Sequence, residues 1–108
     1  SSDLTTATEA KVELEKSKAI FTWKDNSGRG DAQPEDNVIT LVYNRMKGQA
    51  VYQLHNAQRS DGYCELPLPE EWQKEDLTVY IALENEERMC VSNSECLWNG
   101  VYTERNSD

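Results

Sequence analysis

No stretch of this 108-residue sequence stays apolar for more than a few positions. A membrane-spanning helix needs roughly 20 such residues in a row, so none is expected. The apolar core of a signal peptide is also missing, and the first residue is Ser1 instead of Met. That start reads as a boundary or processing site within a longer protein. No Asn-x-Ser/Thr acceptor occurs, which gives secretion no support. Histidine occurs once, at His55, and the three cysteines, Cys64, Cys90 and Cys96, include no C-x-x-C pair. An odd number cannot close into a complete intrachain set, so free thiols in a reducing, cytoplasmic setting are expected. Basic residues are the other shortage. Lys and Arg number 11 against 20 Asp and Glu, a net charge of −9. The first half, to Leu54, is nearly balanced at −1, and the second half carries −8. Such a surface repels phosphate backbones and anionic lipid, so neither nucleic acid nor membrane is an expected partner.

What is present describes one globular domain. Hydrophobic residues make up 37% and charged residues 29%, and a chain of this length buries a core without disulfides or metals. Residues 1–9 are polar and Thr/Ser-rich and read as a flexible N-terminal segment or linker. From Ala10 the pattern changes to period two. Ala10, Val12 and Leu14 alternate with charged residues, then Ala19, Phe21 and Trp23 alternate with Ile20, Thr22 and Lys24. Residues 25–37 hold two glycines and a proline and form a loop. Val38 to Tyr43 is a run of β-formers, read as a central strand buried on both faces. Gln49 to Leu54, Tyr63 to Leu66, Leu77 to Glu84 and Arg88 to Trp98 supply further strands. Ser60-Asp61-Gly62 is a turn, Pro67 and Pro69 end a strand, and Asn99-Gly100 marks a bend. About seven strands at this spacing predict an all-β, immunoglobulin-like or fibronectin-III-like sandwich over residues 10–102, with a polar tail at 103–108. Its core is expected to hold Phe21, Trp23, Leu41, Leu66, Val79, Ile81 and Leu83.

These segments resemble a family. Ala19-Ile20-Phe21-Thr22-Trp23 looks like a sandwich strand ending in a core Trp, and Val38 to Asn44 looks like the next, ending Val42-Tyr43-Asn44. With Arg59-Ser60-Asp61-Gly62, Leu66-Pro67-Leu68-Pro69-Glu70-Glu71-Trp72, Thr78 to Ala82 and Val91-Ser92-Asn93-Ser94, the chain is similar to an uncharacterised bacterial family, mainly from Bacteroidota. The resemblance spans roughly residues 18–98. It implies a sandwich fold and the C-terminal portion of a longer protein, and it brings no activity.

Few motifs carry chemistry. Arg29-Gly30-Asp31 spells an adhesion tripeptide, but turns favour the same residues. The loop oxygens of Asp25, Asn26, Asp31, Glu35, Asp36 and Asn37 suit calcium in type, yet their spacing matches no EF-hand. His55 with Cys64, Cys90 and Cys96 counts as a zinc set, but without paired spacing. On one long strand Cys90 and Cys96 would lie ~20 Å apart. Only a hairpin tipped at Asn93 would bring them face to face. A His55–Cys64 dyad lacks an orienting third group, and the many carboxylate pairs read as solvated. We therefore expect no catalytic, cofactor or metal residue. The expected role is a non-catalytic structural or protein-interaction module, contacting another protein or another domain of the same chain. The alternative is carbohydrate binding by exposed Trp and Tyr beside acidic loops. Trp72, Trp98 and Tyr102 are the candidate contacts for either.

Overall fold

The computed structural model describes residues 4–87 and 90–102. Alternation sets its strands: β1 (Thr8–Glu15), β2 (Lys18–Lys24), β3 (Asn37–Asn44), β4 (Gln49–Gln53), β5 (Tyr63–Pro67), β6 (Asp76–Glu84) and β7 (Glu95–Val101). Single 3-10 turns at Arg59–Asp61 and Glu70–Trp72 flank β5. The strands form a three-stranded sheet, β1-β2-β5, and a four-stranded sheet, β4-β3-β6-β7, with every strand pairing antiparallel. This is the sandwich that period-two patterning predicts.

The inner faces meet as expected in most places. Ala19, Phe21 and Trp23 of β2, with Cys64 and Leu66 of β5, pack against Val38 and Val42 of β3 and Leu77, Val79, Ile81 and Leu83 of β6. One position differs. Leu41 is half-buried on the opposite face of the four-stranded sheet, because β3 turns Val38, Thr40, Val42 and Asn44 inward. Asn44 fixes that parity. Its side-chain oxygen accepts the backbone N–H groups of Met46 and Lys47 at 2.9 and 3.0 Å, and its amide donates to Glu75 at 2.8 Å. A buried asparagine that closes the β3–β4 turn sends its apolar neighbours Ile39 and Leu41 outward.

The N-terminal segment differs too. From Leu4 onward it is packed, with Leu4 and Ala7 in the core and Leu4 bridged to Ser92. Non-alternating residues gave no period-two signal there, and the fixing contacts are long-range. Arg59, wholly buried, donates to the backbone carbonyls of Thr5 and Thr6, to Asn26 Oδ1 at 2.6 Å and to Asp36 Oδ2 at 2.9 Å. Residues 1–3 and the polar tail at 103–108 lie outside the described residues.

The last strand, expected as one run from Arg88 to Trp98, is broken within its described part; Arg88 and Met89 lie outside the described residues. Val91 and Ser92 bridge the end of β6, and regular pairing resumes only at Glu95. Ser92 causes the break: its hydroxyl accepts the Leu83 N–H at 2.9 Å and donates to the Asn93 carbonyl. Asn99 and Gly100 do not bend away; they pair with Thr78 and Leu77, and the irregularity falls between the Trp98 and Cys96 pairs.

Gly62 ties β5 to β2. It sits at φ 70°, its carbonyl accepts the Trp23 N–H, and an added Cβ would meet the Trp23 carbonyl oxygen at 3.2 Å. Left-handed backbone and a tight neighbour act together here. Gly62→Ala should therefore lower stability by about 1–2 kcal/mol in urea unfolding. A loss below about 0.3 kcal/mol would show that neither constraint holds.

Candidate functional site

The outer face of the four-stranded sheet is the most distinctive open surface. By register Tyr52 lies beside Leu41 and Leu41 beside Tyr80, while Ile39 pairs with Ala82 and Tyr43 with both Ala50 and Thr78. Tyr52 is 59% exposed and Tyr43 39%. Ile39, Leu41 and Tyr80 are half-buried, and with Ile81, Ala82 and Ser94 they line a shallow apolar depression of about 250 Å³. Polar pairs frame this strip at both ends. Arg45 lies 3.6 Å from Asp76 and donates to Asn99, Lys47 faces Glu75 at 3.6 Å, and His55 faces Glu84 at 3.5 Å. Exposed Tyr beside half-buried aliphatic side chains, ringed by polar groups, is the anatomy of a contact surface. Sequence reasoning placed Ala50, Tyr52 and Leu54 on one face. It missed Ile39 and Leu41, since a run such as Val38 to Tyr43 does not declare its outer side.

The three aromatic candidates separate. Trp72 is only 3% exposed and Tyr102 only 2%, so both are core groups and not contacts. Trp72 follows its prolines into a 3-10 turn, and the Tyr102 N–H donates to the Glu75 carbonyl beside it. Trp98 remains accessible at 36%, with its indole N–H donating to the Gly100 carbonyl.

The other candidate chemistries dissolve into local structure. Asp31 of the Arg-Gly-Asp tripeptide accepts both the N–H and the hydroxyl of Thr5, which holds its carboxyl below the usual carboxylate value and occupies it. In the same loop the Asp25 carboxylate accepts from Ser27, while Asn26 and Asp36 accept from Arg59. These oxygens serve the fold, and among the described residues no three His, Cys, Asp or Glu are grouped to hold a metal. The members of the notional zinc set stand apart. Cys64 is buried on β5, Cys96 is exposed on β7, and His55 faces Glu84. Cys90 sits beside Asn85, just past the end of β6, and Cys96 beside Tyr80, five positions apart along the chain and so ~16 Å apart. The chain does not turn back at Asn93. Burial, with Asp61 and Glu65 nearby, pushes the Cys64 thiol up to about 11, the opposite of an activated nucleophile.

Residues 1–98 match a sequence family described as a family of unknown function, DUF6266. The chain belongs to that family. No curated protein matches it. Among solved structures, the DUF6266 chain is similar to the fn3 domain of the human collagen alpha-1(XX) chain. The TM-score is 0.59 at 14% identity, covering 100% of this chain and 93% of that one. The likeness concerns the fold alone, and it agrees with an immunoglobulin-like/fibronectin-III-like sandwich. Within the DUF6266 chain, the motif residues Asn44, Arg59, Trp72 and Ser92 all hold turns, loops or core.

Thiol accessibility gives a direct check. At about pH 8 the Cys64 thiolate fraction is roughly one in a thousand, and the group is also covered. Native protein treated with iodoacetamide should be labelled at exposed Cys96 first, with Cys64 modified only on unfolding. Early labelling of Cys64 in the folded protein would contradict the burial.

Proposed function

We propose that this domain is a non-catalytic protein-contact module whose working surface is the outer face of the four-stranded sheet. The observation that carries this is the strip of Tyr52, Leu41, Tyr80 and Ile39, framed by polar pairs at both ends. Support also comes from the raised thiol of Cys64 and from His55, the single histidine, whose partner is a surface carboxylate. The partner fitted by this face is another protein, or another domain of the same chain, with an apolar patch set in basic surroundings. The net charge of −9 supplies the complementarity and makes such association salt-sensitive. The carbohydrate reading is weakened by the loss of Trp72 and Tyr102 to the core.

A photoreactive residue placed at Tyr52 in the longest expressible form of the protein tests this. It should give a defined protein adduct that fades as salt is raised. The same group at Thr22, exposed on the other sheet, should give none. Equal adducts from both positions would contradict the assignment. So would saturable glycan binding that quenches Trp98 fluorescence, or a hydrolytic activity lost in His55→Ala.

A further inference from the structure

We propose that β4 is a self-pairing edge, through which two copies of this domain join in a continuous antiparallel sheet across a two-fold axis at Val51. Two sheets leave four edges, β1, β5, β4 and β7, and natural sandwiches blunt such edges to prevent unwanted pairing. Three of these are blunted. β1 carries Glu9, Lys11, Glu13 and Glu15, with Glu9 at φ 52° beside a register shift. β5 carries Glu65 and closes at Pro67. β7 starts at Glu95 and has a register irregularity beside Trp98.

β4, Gln49–Gln53, has no charge, no proline, no glycine and no bulge in its pairing with β3. Every second residue of an edge strand turns its N–H and C=O away from the neighbouring strand, so β4 offers a regular, unprotected ladder.

Read in reverse, Gln-Ala-Val-Tyr-Gln keeps Gln at both ends and Val at the centre and exchanges only Ala50 with Tyr52. A two-fold axis at Val51 sets Val51 against its own copy and Gln49 against the copy's Gln53. It sets small Ala50 against the large Tyr52 of the copy on the outer face. Cross-strand neighbours therefore fit by volume, and no like charges meet, although each copy carries −9 overall. The basic residues just before the strand, Arg45 and Lys47, are each paired with a carboxylate, Asp76 and Glu75. A seam of this length buries less than a standard interface, and the association is reversible and concentration-dependent. This goes beyond the contact role proposed above, because it uses the backbone edge and needs no other protein.

Sedimentation equilibrium of the whole chain over a concentration series should show a monomer–dimer equilibrium. Two charged pairs of variants test the axis, since residue 50 meets residue 52 of the copy. Ala50→Lys with Tyr52→Lys, and separately Ala50→Glu with Tyr52→Glu, should each weaken self-association by about tenfold or more. Mixing the two should restore association, which misfolding of either variant would not do. Both sites are exposed, and unchanged circular dichroism confirms the fold. A chain that stays monomeric at all concentrations overturns the proposal. So does a dimer that the variants leave intact, or a failure of the mixed variants to associate.

Discussion

The buried guanidinium of Arg59 holds one end of this sandwich together. It lies at 0% exposure, and its N–H groups reach Asp36, Asn26 and the carbonyls of Thr5 and Thr6. Its own backbone joins the same set: its N–H donates to the Asp36 carbonyl, and its carbonyl accepts the Trp23 indole at 2.7 Å. One residue thus fixes the N-terminal segment, the 25–36 loop, the start of β3 and the core Trp of β2. A planar fork with five donors can do this; a lysine could not. Removing such a charge's partner is costly, because the survivor is left buried and uncompensated.

This explains what could be read in the sequence and what could not. Period-two alternation is a local signal, and β1, β2, β5 and β6 were legible to within a few residues because apolar residues recur at every second position on the face turned to the core. β3 was legible as a strand but not by face, since Thr40 and Asn44 go inward while Ile39 and Leu41 go outward. The seam between Ser92 and β6 was hidden because a hydroxyl, Ser92 Oγ, takes the place of a backbone acceptor. Arg59 was visible only as the first letter of a turn motif. Its acceptors lie 23 to 54 residues away in sequence, and no periodicity encodes them.

The same division separates structure from function. Arg59, Gly62, Trp72, Asn44 and Ser92 stood out as motif residues, and each is consumed by the fold. The acidic loop that resembled a cation site is likewise spent on Thr5, Ser27 and Arg59. Among the described residues, the outer face of β3, β4 and β6 keeps Tyr52 and Tyr43 exposed among half-buried aliphatics. A fold shared with fn3 domains does not choose a partner; surface chemistry does. Here that surface is apolar at its centre and framed by polar pairs at its ends, on a chain whose second half is acidic.

The central claim is that Arg59 and Asp36 act as one unit that locks the loops to the sandwich. A double-mutant cycle in urea unfolding tests it most directly, using Arg59→Met, Asp36→Leu and the pair together. Each single change should cost about 3–5 kcal/mol, because it strands a buried charge, and the pair should cost well below their sum, with a coupling of about 2 kcal/mol or more. Losses that add to within about 0.5 kcal/mol would contradict the account.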